Sequence, residues 1–272
     1  MSITWSKDFL YCGYYTLGFF ASALAGLATG VGAIPVFFVK KLSEKFEDGS
    51  LGFAAGVMLA ASFFSLVIPG IEFANGMYNS ETISLAIVLL GLLIGAAVIW
   101  LIEEKAPHEH FVLGQAHGTD EKLKDKISKV WLFIIAITIH NMPEGLAVGV
   151  SFGGGDISNG ISLATGIGLQ NIPEGLAVAF SLKAIGYSNK KAFLISTITG
   201  LFEPAFGILG VSIVTIFQHF LPIALGFAAG AMLYVISHEI IPESHSRGNE
   251  NTATGGFIIG LVVMMSLDIL LG

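Results

Sequence analysis

Along the 272-residue chain, long apolar runs alternate with short polar breaks. A bilayer core about 30 Å thick needs roughly 20 apolar residues of helix. Runs at about 9–38, 51–72, 83–103, 130–152, 158–181, 192–216, 222–243 and 255–271 meet or approach that length. The pattern predicts an all-α membrane protein with eight transmembrane helices, folded as one polytopic domain over 1–272. The first run has no small-residue cleavage site after a short apolar core, so it is expected to be a retained span rather than a removed signal. The only sizeable segment outside the runs is 104–129, which is polar, Lys-rich and carries His108, His110 and His117. It is expected to form a cytoplasmic loop between the third and fourth helices.

Composition sharpens this picture. Apolar residues make up 54% of the chain and charged residues 12%, against about 25% charged in a typical soluble domain. A disordered chain, a nucleic-acid binder and an ordinary soluble enzyme are excluded. The net charge of −7 offers no basic surface for nucleic acid. Cys12 stands alone, so an intrachain disulfide and a Cys-based metal cluster are both ruled out.

The basic residues set an expected orientation. With both termini outside, the inner loops collect twelve of the thirteen Lys and Arg residues, from Lys40 to Arg247, and only Lys7 is left outside. Trp5, Trp100 and Trp131 fall at predicted membrane boundaries, as an aromatic belt would place them.

Two sequence repeats lie within the spans. HNMPEGLAV at 140–148 returns as QNIPEGLAV at 170–178, on the next span and therefore running the opposite way. LGFAAGVML at 51–59 returns as LGFAAGAML at 225–233, again on spans of opposite direction. Together they predict inverted repeats in a 3+2+3 arrangement, with a polar site at their interface, a common plan for secondary transporters. Gly- and Ala-rich helix faces also recur for packing alone, and for LGFAAG both readings stay open. The HNMPEGLAV repeat carries a carboxylate, which packing does not explain.

An ionisable group in the bilayer core costs at least ~2.5 kcal/mol. Span four nevertheless holds His140 and Glu144, span five Glu174, span six Glu203 before Pro204, and span seven His238 and Glu239. His140 lies about 15 Å into its helix at 1.5 Å per residue, and Asn171, Glu174 and Glu203 reach similar depth from their own ends. His140 and Glu144 share a helix face at i, i+4, as Asn171 and Glu174 do at i, i+3. Pro143 and Pro173 each free a carbonyl one turn earlier, a further possible oxygen ligand. Carboxylates brought together without a cation repel and protonate. A divalent ion removes the conflict, and imidazole with carboxylate and the amide oxygens of Asn141 and Asn171 suits zinc or another first-row metal. Calcium or magnesium would favour oxygen alone. More candidate ligands than four, and no cysteine, favour an exchangeable site over a closed structural one.

Several residues carry a plainer alternative. Met58 is either core filler or a ligand, and His238 either structural or, with Glu239 beside it, functional. His108, His110 and His117 read as a solvated loop or a metal-collecting one. Asp268 is expected to be wet, near the end of the last span.

HNMPEG at 140–145, QNIPEG at 170–175, Glu203-Pro204 and SHEIIPESH at 237–245 together resemble the ZIP (Zrt-/Irt-like) family of metal transporters in its short prokaryotic form. The resemblance covers nearly the whole chain. It implies uptake of Zn2+ and related divalent ions (Cd2+, Fe2+, Mn2+, Co2+) into the cytoplasm across the cell's inner or plasma membrane. It implies a transport site on His140, Asn141 and Glu144 with Gln170, Asn171 and Glu174 across from them. A second, adjacent metal position would use Glu203 with Asn141, Glu144, Asn171 and Glu174. Met58 matches a methionine that some relatives place at the site, and His238 and Glu239 match residues on an inner exit route. The family is also thought to work as a homodimer, moving a transport domain against a scaffold. Some relatives carry Asp where this chain has Asn171, a weaker and neutral ligand.

The mechanism expected is alternating access, with protons competing for the ligands. Two rivals differ in class. One is an intramembrane metalloprotease: HEIIP at 238–242 is similar to HExxH, but Pro242 stands in place of the second ligand. The other is a metal-gated channel or exporter using the same residues.

Overall fold

The computed structural model describes residues 7–40, 42–105 and 121–271. Trp5, Lys41, His108, His110 and His117 lie outside the described residues. Every regular element among those described is helical. The order is α1 (Lys7–Ala33), α2 (Glu44–Ala61), α3 (Ile68–Tyr78), α4 (Glu81–Lys105), α5 (Glu121–Gly153) and α6 (Ile157–Ala184). It continues with α7 (Asn189–Gly200), α8 (Phe202–Ile216), α9 (Leu221–Val235), α10 (Ile241–Ser244) and α11 (Glu250–Leu271). A 3-10 turn at Ile34–Phe37 prolongs α1. A π-helical segment at Ser62–Val67 joins α2 to α3, and another at Ile236–Ile240 joins α9 to α10.

Starts and stops follow local chemistry. Ser43, Asp156 and Ser188 cap α2, α6 and α7 by accepting from the backbone N–H groups of Phe46, Asn159 and Lys191. Asn79 closes α3 with φ of 49°, a left-handed conformation that asparagine tolerates. The helix predicted from 130 starts at Glu121, because the Lys-rich stretch before it consists largely of good helix formers.

Among the described residues, seven stretches are long and apolar enough to cross a membrane: Cys12–Phe37, Glu44–Tyr78, Glu81–Ile102, Phe133–Gly153, Asn189–Ile216, Leu221–Ser244 and Glu250–Leu271. The remaining long helix, α6, has 28 residues but is less apolar. It buries Asn159, Ser162, Gln170, Asn171 and Glu174 inside the bundle. Its polarity follows from facing the interior rather than lipid.

Many large apolar side chains point outward, among them Phe20, Leu24, Leu93, Ile216 and Leu270. Small residues line the contacts between helices. Gly52 and Gly56 of α2 meet the backbone of Ala253 and Phe257 on α11, and Gly226 and Gly230 of α9 meet Val88 and Leu92 on α4. At all four, an added Cβ would overlap a carbonyl. Both LGFAAG copies are therefore close-packing faces.

Two expectations need correcting. Asp268 is half-buried and accepts a hydrogen bond from Ser65 Oγ at 2.8 Å. Ser65 lies in the π-helical segment, whose wider turn re-aims its residues. Arg247 is also more than a loop charge. It pairs with Asp48 at 3.0 Å, Glu47 at 3.2 Å and Glu243 at 2.5 Å, tying the start of α2 to the α10–α11 connection.

Candidate metal centre

The centre is assembled where α5 and α6 cross and α1 and α8 close in behind them. Both motif helices run unbroken through their prolines, Pro143 and Pro173. Gly145 and Gly175 set the approach of the flanking helices. Gly145 lies against the backbone of Glu203 on α8, and Gly175 against that of Thr29 on α1. A side chain at either would push the neighbour off.

His140, Glu144 and Glu174 converge. His140 Nε2 lies 3.3 Å from Glu144 Oε1 and 3.5 Å from Glu174 Oε1. One donor atom from each of the three falls within 4.8 Å of the others. All three side chains are at most 1% exposed. Zinc bonds of 2.0–2.2 Å in a tetrahedron put neighbouring ligand atoms about 3.3–3.5 Å apart. The separations from His140 already match that edge.

The surrounding amides divide. Gln170 donates from Nε2 to Glu144 Oε1, and its own carbonyl oxygen makes no hydrogen bond. Asn141 is fully buried with neither side-chain atom hydrogen-bonded. Asn171 donates from Nδ2 to the Ala25 carbonyl at 2.8 Å and to Glu203 Oε1 at 2.6 Å. Glu203 sits in the first turn of α8, just after the single turn residue Leu201 that separates it from α7. The helix N-terminus there favours a carboxylate, and Pro204 is tolerated so early in a helix.

Buried polar atoms are nearly always hydrogen-bonded. Here the exceptions concentrate: both nitrogens of His140, both oxygens of Glu174, Glu144 Oε2, Gln170 Oε1, Asn171 Oδ1 and both Asn141 atoms make no hydrogen bond. Those of His140, Glu144 and Glu174 are lone-pair donors that converge, and a divalent ion is what such a set can satisfy.

Other residues singled out from the sequence stand elsewhere. Met58 is fully buried on α2, a helix that packs against α6. His238 is exposed in the second π-helical segment and stacks on Tyr234 with ring centres 5.2 Å apart, while its neighbour Glu239 is half-buried. Neither belongs to the buried triad. The part played by α1 was not anticipated: the Ala25 carbonyl holds Asn171, and Gly26 faces Glu203. The available signal was the glycine run in AGLATGVG at 25–32, a sign of close backbone approach.

The chain is similar in sequence to known proteins. The chain is 43% identical to "Zinc transporter GufA" of Myxococcus xanthus over 94% of its own length and 99% of the relative's. It is 42% identical to "Zinc transporter ZIPB" of Bordetella bronchiseptica, covering 97% and 83%. Against human "Zinc transporter ZIP11" the identity is 34%, covering 90% and 94%. The family described as "ZIP Zinc transporter" matches residues 101–268, which include both motif helices and Glu203. With its membrane-length helices and a buried histidine–carboxylate centre, this chain is a multi-pass membrane protein that belongs to the ZIP zinc transporter family.

Proposed function

We propose that the protein carries Zn2+ into the cytoplasm by alternating access, with His140, Glu144 and Glu174 as the principal ligands. Gln170 and Asn141 complete the seat through their carbonyl oxygens. The observation that carries this reading is the convergence of two carboxylates and an imidazole, all buried, from successive helices. Two carboxylates neutralise one dication, so the loaded site is electrically balanced inside the bilayer. The relatives named as zinc transporters support Zn2+ as cargo. The family transports rather than catalyses, which removes the protease reading.

The rest of the proposal concerns the frame. The long helices form eight spans in a 3+2+3 arrangement of inverted repeats. Pairing in space supports this: α2 packs on α11 as α9 packs on α4, and α1 on α6 as α8 on α5. Both termini lie outside and the polar 104–129 segment inside, placed by the basic residues in the intervening loops. The membrane is the plasma membrane. Metal leaves on the inner side past His238 and Glu239, where His108, His110 and His117 collect it. Assembly as a homodimer, Met58 at the site, and transport of Cd2+, Fe2+, Mn2+ or Co2+ rest on the family likeness alone.

Uptake of 65Zn into proteoliposomes tests the proposal. Glu144→Ala and Glu174→Ala should each abolish uptake while the protein still inserts. Unchanged uptake in both overturns the site. Accumulation that requires an opposite orientation of the protein in the vesicle, or a flux at channel rates, overturns the direction or the carrier mechanism.

A further inference from the structure

We infer that Asn171 closes the second metal position next to the triad, so that each chain carries one dication at a time and Glu203 is not a ligand. The inference rests on the transport site proposed above and goes beyond it.

The atom of Asn171 facing the Ala25 carbonyl must be a donor, because a carbonyl oxygen can only accept. Nδ2 therefore points at Ala25, and the same Nδ2 lies 2.6 Å from Glu203 Oε1. An amide NH2 has two hydrogens, and both are spent. Rotating the amide by half a turn would set its oxygen against a carbonyl and a carboxylate at once. The orientation is locked by its two neighbours rather than chosen by the side chain.

A metal shared between Asn171 and Glu203 needs lone pairs from both, aimed at a common point. The atom Asn171 presents to Glu203 is an amide nitrogen, whose lone pair is delocalised, and its hydrogen occupies the direction a cation would need. Glu203 is held on two more sides. Gly26 of α1 faces its Oε1, and Gly145 of α5 presses on its backbone. Its other oxygen, Oε2, makes no hydrogen bond, but the amide bridging Glu203 to Ala25 offers it no lone pair to share a divalent ion with.

Charge counting agrees. Glu144 and Glu174 balance a first dication. A second would bring two more positive charges against Glu203 alone, leaving an uncompensated charge in the bilayer core, which is costly. An aspartate at position 171 would face Glu203 with an oxygen in place of the N–H and would supply the missing charge. It would also remove the donor that holds Glu203.

Metal content at saturation reads this directly. Protein reconstituted in nanodiscs is dialysed to equilibrium against Cd2+, chosen for its ease of assay, and metal per chain is measured by elemental analysis as the excess over a Glu144→Ala, Glu174→Ala double variant, which lacks the centre but keeps the loop and exit-route histidines. Wild type should hold one ion per chain and Asn171→Asp two. Glu203→Gln should still hold one, and this variant decides the question if Asn171→Asp fails to fold. Two ions per wild-type chain, one in a folded Asn171→Asp, or loss of the ion in Glu203→Gln overturns the inference. No ion in wild type instead overturns the transport site itself, so the two failures are distinguishable.

Discussion

The two NxPEG motifs are nearly the same sequence in different surroundings. HNMPEG lies on α5 and QNIPEG on α6, each with a proline in mid-helix and a glycine against a neighbour's backbone. Their glutamates behave alike, since Glu144 and Glu174 both turn toward His140. Their amides do not. Asn141 is buried without hydrogen bonds, whereas Asn171 is committed to Ala25 and Glu203. The first residue of each motif differs as well: His140 contacts both carboxylates, and Gln170 donates to Glu144 alone. A duplicated motif therefore supplies a symmetric pair of charges and an asymmetric set of neutral ligands. The asymmetry comes from what packs behind each copy, α1 on one side and α8 on the other.

The comparison can be broken most severely at the shared feature. Removing either glutamate should reduce zinc uptake by about 100-fold or more, beyond the 10–100-fold typical of losing a supporting residue. The two losses should be similar; a large inequality would mean that only one copy ligates. Next comes the residue that distinguishes the copies. His140→Gln makes both motifs begin alike and removes the only nitrogen donor in the triad. Zinc affinity should fall about 10- to 100-fold, with selectivity over Mg2+ reduced, as read by competition for 65Zn uptake. An unchanged selectivity would place the imidazole outside the metal's reach. Packing gives the smallest effect. Gly175→Ala sets a Cβ against the Thr29 carbonyl and should destabilise by about 1–3 kcal/mol. Gly76→Ala, on α3 with open space around it, should be neutral or stabilising by up to about 1 kcal/mol. Thermal unfolding in detergent compares the two, and equal shifts would deny that Gly175 sets the approach of α1.

Much of this was legible in the chain itself. Span positions follow from hydropathy, because lipid demands long apolar helices. The triad follows from the improbability of carboxylates in such helices and from their i, i+4 spacing. Less visible were features that depend on a partner distant in sequence. Nothing near Asn171 announces that its amide is held by Ala25, 146 residues away. The hydrogen bond from Ser65 to Asp268 spans 203 residues and depends on a π-helical segment with no local sequence marker. Arg247 looked like a topological charge, and only the fold brings Glu47, Asp48 and Glu243 around it. Polar α6 fell below the apolarity of the other spans because its polar side chains, Gln170, Asn171 and Glu174 among them, are buried inside the bundle.

Anomalous diffraction from crystals soaked in Zn2+ and measured on both sides of the zinc absorption edge bears most directly on the claim that a dication sits between the two motif helices. The account predicts a zinc peak within bonding distance of His140 Nε2 and an oxygen of each of Glu144 and Glu174, vanishing in Glu174→Ala. Density only at the surface, or a peak that survives that substitution unmoved, would contradict it.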